Sequence, residues 1–358
     1  MLNLASGVGP RTHARLLSKF GSSINVLRQT RQALASVEGV GPRTADGILG
    51  VDSSRATEII KQCQRMGVSL IRHGDADYPT GLRTLPDAPG LVYVRGKLCS
   101  QDHLAVAIVG SRRCTTYGRR IAERLAASLA RAGFTIVSGL ARGIDAAAHS
   151  GALRAGGRTI AVLATGVEKI YPPEHAELAL EIADSGALVS EFPPDQQPSP
   201  GLFPQRNRII SGLSLGVVVV EATRNSGALY TARHAVEQGR EVFGVPGHAD
   251  SMSSAGCHDL IRQGVTLVRN VDDVLEDLGP MSTPAVSAEQ HTVHHPRELT
   301  LNPQEKEILD LISTSPVSVD SVLQTTQLDQ SRVLSTLTVL EVRRFIRRLP
   351  GNMLVRNA

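Results

Sequence analysis

The chain has no tryptophan, and aromatic residues make up only 3% of its 358 positions. A broad platform that stacks many bases side by side is therefore not expected. Cysteine is scarce too: Cys63, Cys99, Cys114 and Cys257 lie far apart, without a CxxC pair. That spacing argues against a disulfide framework or a zinc site, which leaves no cofactor expected, and it suits a reducing cytoplasm. Long apolar runs are missing. The run Leu215 to Val220 falls far short of a membrane span, and MLNLASGVGP carries no secretory pattern. Residues 101–279 hold one lysine, Lys169, and no Walker-type phosphate loop, so a Walker ATPase is disfavoured. HExxH and metal-spaced acid clusters are likewise absent from the sequence.

What is present reads as an ordinary globular protein of two or three domains, 41% apolar and 20% charged. The net charge of +4 is unevenly spread: residues 1–72 carry +6, the middle −3 and residues 300–358 +1. A basic end segment points towards a polyanion such as nucleic acid. That segment also contains a repeat, GVGPRT, at 7–12 and at 39–44, each copy followed by a helical pattern. Gly7, Gly9, Gly39 and Gly41 make tight turns between helices, and each proline suits the first helical position. Such turns expose backbone N–H groups to which a phosphate can bind. With Arg11 and Arg43 beside them, they predict paired helix–hairpin–helix motifs, here either a nucleic-acid backbone contact or a packing repeat alone. The helix ahead of the first hairpin is expected to be short, or its start codon misassigned.

A Pro/Gly-rich joining segment, 73–98, leads into alternating strands and helices. Strands are predicted at 105–109, 135–138, 159–164, 187–190, 216–221, 241–245 and 266–268, and helices at 119–132, 144–155, 174–185 and 228–238. Continuous Val/Ile/Ala strands suit a parallel sheet covered on both faces, so the core reads as a doubly wound α/β, Rossmann-like domain. Residues 280–299, with His291, His294 and His295, read as a flexible linker. Helices at 303–313, 319–326 and 331–342, then a hairpin around the Pro-Gly at 350–351, make a winged-helix pattern. Its near-neutral charge favours a protein contact there. The expected domains are thus 1–72, 73–279 and 300–358.

In such sheets ligands bind beyond the carboxyl ends of the strands. The loops predicted there are small and basic: Gly110-Ser111-Arg112-Arg113 after one strand, and Ser138-Gly139 through Arg142-Gly143 to Asp145 after the next. Phe203, Arg206, Asn207 and Arg208 stand just before a helix-like RIISGLS, and Ser226-Gly227 opens another helix behind Glu221. Glycine admits a phosphate close to backbone, and arginine grips it with a fork. Arg206 and Arg208 have a second reading, as ion-pair partners of Glu191, Glu221 or Asp145. Asp145 either caps its helix or meets a ligand, and His149, one turn on, is expected to pair with it.

Taken in order, DADYP (75–79), GSR (110–112), SGLARGIDAAAH (138–149), YPPEH (171–175), SEFPP (190–194), FPQRNRIISGLS (203–214), EATRNSGALYTA (221–232) and VFGVPG (242–247) resemble the DNA-processing protein A (DprA, or Smf) family. The resemblance implies single-stranded DNA binding, a homodimer, and loading of the recombinase RecA during natural transformation. It implies that Gly110, Ser111, Arg112, Phe203, Arg206 and Arg208 hold the strand, with the 138–145 loop and Asn207 shaping the pocket. His258 in AGCHDLI departs from the family's more usual asparagine.

The competing class is a nucleotide-binding or N-glycosidic nucleotide hydrolase of the same fold. Such enzymes carry a glutamate in the turn after the strand ending at Glu221. Here 222–236 contain no acid, and Glu237 lies about two helical turns too far along. His149, His175, His234, His248 and His258 are scattered and read as capping or core-edge residues. No catalytic residue is expected, and the chain reads as a binder.

Overall fold

The computed structural model describes residues 1–278, 285–286, 292–293 and 295–357. They form two compact units, Met1–Asp277 and Leu278–Ala358.

The first unit begins with a 3-10 turn, Leu2–Leu4, where a leading helix was expected to be short. Five helices follow: α1 (Pro10–Phe20), α2 (Ser23–Leu27), α3 (Arg31–Ala35), α4 (Pro42–Leu49) and α5 (Ser53–Met66). Pro10 and Pro42 start their helices behind capping Gly9 and Gly41, as the repeat predicted. Ser22, Thr30 and Asp52 cap the others by accepting from backbone N–H groups, satisfying donors that a helix start leaves open. The two hairpins lie back to back. Gly7 takes φ +81°, and a Cβ there would stand 2.8 Å from Thr44 Oγ1. Leu16, Val26, Leu34, Ala45 and Ile48 fill the space between them.

Nine strands make the main sheet: β1 (Val68–Arg72), β2 (Leu91–Gly96), β3 (Ala105–Gly110), β4 (Thr135–Ser138), β5 (Thr159–Val162), β6 (Ala187–Ser190), β7 (Gly216–Val220), β8 (Glu241–Gly244) and β9 (Thr266–Leu267). Their order is β1-β2-β6-β5-β4-β3-β7-β8-β9, parallel from β6 to β9. β1 and β2, respectively beside and within the expected joining segment, add an antiparallel edge. The remaining helices are α6 (Thr80–Arg83), α7 (Thr116–Arg131), α8 (Ile144–Arg154), α9 (Ala176–Ser185), α10 (Leu202–Gly212), α11 (Ala228–Glu237), α12 (Ala255–Arg262) and α13 (Val271–Asp277). α7, α8 and α9 pack in sequence on one face, and α10 and α11 cover the other. Both faces being dry explains why β3 and β7 are apolar throughout. Two boundaries move in a way that matters. β7 stops at Val220, so Glu221 stands beyond it with φ +49°. α10 begins at Leu202, so Phe203, Arg206, Asn207 and Arg208 lie on the helix rather than before it.

Of the segment expected to be a linker, much lies outside the described residues, including His291 and His294. Its described part includes a two-stranded pair, β10 (Ala285–Val286) with β11 (Thr292–Val293). His295 caps a following 3-10 turn, accepting from the Arg297 N–H at 3.1 Å. Beyond it come α14 (Pro303–Asp310), β12 (Val317–Ser318), α15 (Val319–Thr325), α16 (Gln330–Val342), β13 (Ile346–Leu349) and β14 (Met353–Arg356). The strands form a small sheet in the order β12-β14-β13 over Ile308, Val322, Val333, Leu337, Leu340 and Leu354, a winged helix. Among the described residues no helix is long and apolar enough to cross a membrane.

Candidate nucleic-acid interface

Connections leave β3 in one direction through β4, β5 and β6, then return to its other side through β7, β8 and β9. β3 therefore sits at the topological switch point, where ligands gather in open α/β sheets. Its loop, Gly110-Ser111-Arg112-Arg113, meets the loop after β4. Gly143 takes φ +77°, and a Cβ there would stand 2.3 Å from the Ser111 carbonyl oxygen. The Ile144 N–H donates to that same oxygen at 3.2 Å, so the two loops are clamped together.

Beneath them lie buried polar groups, most of their atoms hydrogen-bonded, with Arg206 Nε and His149 Nε2 left without a partner. Arg206, 3% exposed, donates to the carbonyl oxygen of Gly139 at 2.6 Å and to that of Val162. A Cβ on Gly139 would fall 2.3 Å from this guanidinium, which is why the position is glycine. Asp145 accepts from the Gly139 and Ala141 N–H groups at 3.1 and 3.3 Å, holding the loop from inside. Burial pushes its carboxyl up, while the Arg206 charge and those N–H groups pull it back. Burial lowers Arg206 to about 10, so it stays charged at neutral pH. Ser138 is fully buried and donates to the Ile108 carbonyl at 2.6 Å.

Two of the expected contact residues, Arg206 and Arg208, are buried. Arg206 is a brace for the loop, not an open phosphate fork. Arg208, 5% exposed, pairs with Glu191 and lies 3.8 Å from Asp87. The ion-pair reading is the one the geometry realises for Arg208. Glu221 takes no part in it. Its two carboxylate oxygens accept from the Thr115 N–H at 2.7 Å and the Thr115 hydroxyl at 2.5 Å, tethering the start of α7. His149 does not pair with Asp145 either: its Nδ1 meets Thr159 Oγ1 at 2.7 Å. The imidazole is fully buried, and desolvation drives it down to about 3, so it stays neutral.

The open rim is built from other residues. The exposed Arg112 guanidinium lies 5.0 Å from the centroid of the Phe203 ring. Phe203 in turn meets Tyr171 edge to face, 5.7 Å between centroids. Tyr171 is 37% exposed and was not singled out in the sequence, although YPPEH was. Arg142 reaches Glu174 at 2.5 Å across the next loop. Asn207 donates to the Gly227 carbonyl at 3.2 Å, tying α10 to the exposed start of α11, where the Ser226 hydroxyl accepts from the Ala228 N–H. The hairpin glycines Gly9 and Gly41 are exposed with Arg11 and Arg43 beside them, and neither arginine has an ion-pair partner among the described residues.

The scattered histidines find local roles. His175 meets the Leu140 carbonyl at 2.9 Å, His258 bridges to Gly247, and His234 and His248 lie 3.5 Å from Glu237 and Asp250. Gly212-Leu213-Ser214-Leu215-Gly216 has the GxSxG spacing of hydrolase nucleophiles. Here it joins a helix to the start of β7, the reverse of a nucleophile elbow, and Ser214 is 2% exposed, donating to the Ile210 carbonyl.

Three family models match: DNA recombination-mediator protein A over residues 69–279, the DprA winged helix domain over 293–352, and a SAM-like helix-hairpin-helix tandem over 1–50. The chain is 34% identical over 378 residues to Protein Smf of Synechocystis, covering 96% of this chain and 94% of that one. The X-ray structure of DNA processing protein A from Streptococcus pneumoniae superposes with a TM-score of 0.69 at 34% identity, over 78% of this chain and 96% of that one. The Helicobacter pylori DNA processing protein A, described for its single-stranded DNA binding mode, gives a TM-score of 0.54 at 31% identity, over 59% and 97%. The chain therefore belongs to the DNA recombination-mediator protein A family.

Proposed function

We propose that this chain binds single-stranded DNA at the rim above β3 and acts as a non-enzymatic recombination mediator. In that role it protects incoming DNA in the cytoplasm and loads RecA during natural transformation, working as a homodimer. The observation that carries the reading is Arg112 set over Phe203, with Tyr171 at its edge. A cation beside the half-buried Phe203 ring and the exposed Tyr171 ring serves both the phosphate and the base of an unpaired strand, whatever its sequence. The Helicobacter relative, described for its single-stranded DNA binding mode, supports a single strand as the ligand. Ser111, Arg112, Arg142, Gly143, Phe203, Asn207, Ser226 and Gly227 supply contacts, with Gly110, Ser138, Gly139, Arg206 and Arg208 shaping the site from below. Gly7, Gly9, Arg11, Gly39, Gly41 and Arg43 offer a second backbone contact.

The hydrolase reading gains no support from Glu221, whose carboxylate is occupied by Thr115. The test is anisotropy of a labelled oligonucleotide, single-stranded against duplex, across a salt series, with nucleoside monophosphates assayed in parallel for free base. Preference for the single strand that weakens steeply with salt is expected. Release of free base, or no preference for the single strand, overturns the reading. RecA filament assembly on the bound strand then tests the loading step.

A further inference from the structure

A groove of about 660 Å³ runs along the outer face of α7. Arg120, Arg124 and Arg131 line it from the helix, and Arg154 and Arg269 from the flanks. The positions 117, 120, 124 and 131 fall on one helical stripe, spanning about 21 Å at 1.5 Å per residue. Glu123 is the one acid lining the groove, and it is already held by Arg154 at 2.7 Å. Arg269 is neutralised by Asp273 at 2.9 Å. The three helix arginines are exposed and have no ion-pair partner among the described residues. Arg124 donates only to the Arg269 carbonyl, and Arg131 only to the Ser128 hydroxyl.

At the head of the stripe stands Tyr117, 48% exposed. Its hydroxyl donates to the Pro246 carbonyl at 2.9 Å, so the ring is pinned across the groove with a face open. Ile121 and Val268 supply an apolar floor. Tyr117 lies five residues on from Arg112 in the chain, through the loop that forms the proposed DNA site.

We propose that this groove carries a second stretch of the same single DNA strand, its phosphates on Arg120, Arg124 and Arg131 and a base against Tyr117. The inference rests on the DNA-binding reading above and extends it. Uncompensated guanidinium forks in a row suit a repeating phosphate backbone. A pinned aromatic at the end nearest the first site supplies stacking without sequence choice. Continuity with that site favours the strand over an acidic peptide.

The test compares oligonucleotides of about 6 and about 20 nucleotides, bracketing one site and two. The full chain is measured as wild type, as Arg112→Ala and as the triple variant Arg120→Ala/Arg124→Ala/Arg131→Ala, with a Lys triple as control. Unfolding midpoints establish that each is folded. The triple alanine variant is expected to bind the short strand as wild type does and the long strand about tenfold more weakly. Its salt slope on the long strand should be shallower by about 2, at about 0.7 per phosphate. The Lys triple should recover much of the loss. Wild-type behaviour of the triple variant on long strands, while Arg112→Ala weakens both, overturns the groove and leaves the first site standing. Equal losses on short and long strands also overturn it, because the change then acts through the first site. Binding of an acidic peptide that long DNA cannot displace overturns it as well. If wild type binds neither strand, both readings fall together.

Discussion

The guanidinium of Arg206 donates to the carbonyl oxygen of Gly139 across 2.6 Å, joining α10 to the loop after β4 from inside the protein. The same arginine that looks like a phosphate ligand in the sequence is a structural tie, and this changes what its removal should do.

Arg206→Ala leaves two buried carbonyl oxygens and the Asp145 carboxylate without their cation. A loss of about 3 kcal/mol or more is expected, read as a lower denaturation midpoint, with DNA binding falling because the loop is loosened. A stable, fully folded variant that has lost only DNA affinity would restore Arg206 to the contact set.

Arg112 is exposed, and its contact with Phe203 contributes about 0.5–1 kcal/mol at most. Arg112→Ala should therefore unfold at nearly the wild-type midpoint, bind single strands more weakly, and show a salt slope shallower by about 0.7. Phe203→Leu keeps the apolar bulk but removes the ring. It should weaken binding by about 1–3 kcal/mol with little change in salt slope. Anisotropy titrations at several salt concentrations separate the two effects.

Glu221→Gln places an amide where two oxygens accept from Thr115. One end of that amide can only donate, so a cost of about 1–2 kcal/mol is expected at the start of α7. Calorimetric melting measures it. Neither wild type nor variant should release free base from a nucleoside monophosphate. Release by wild type that the substitution abolishes would make Glu221 catalytic.

The buried neutral His149 also predicts a pH dependence. Its folded pKa, about 3, lies below its ordinary 6.5, so only the unfolded chain takes up a proton between those values. Stability is thus complete above about pH 6.5 and falls as pH drops through that window, by up to about 1.4 kcal/mol per pH unit. Desolvation is the main cause, and nearby His175 and Arg206 add to it. His149→Gln should flatten the urea midpoint between pH 6.5 and about 4.5, above the usual carboxylate range. An unchanged slope would show that another group governs that limb.

Much of the fold was legible because local physics fixes it. The hairpin repeat sets glycine turns and proline helix starts, and two-sided burial forces β3 and β7 to be continuously apolar. The same logic placed the loops at the strand ends. What the sequence left unresolved was the direction of each charged side chain. Arg112, Arg206 and Arg208 all stand in basic, glycine-rich surroundings, and nothing local separates them. Tyr171 was invisible as a site residue, since its partner Phe203 is thirty-two positions away.

The sequence by itself determined the element types, the parallel core and the small, basic character of the strand-end loops, because backbone propensity and periodicity act over a few residues. Only the tertiary structure decided which arginines meet water and which meet carbonyls. Moving a charge from solvent to interior is worth more than any local preference, and the partners that permit it, Gly139 and Val162 for Arg206 and Glu191 for Arg208, come from the ends of strands elsewhere in the chain.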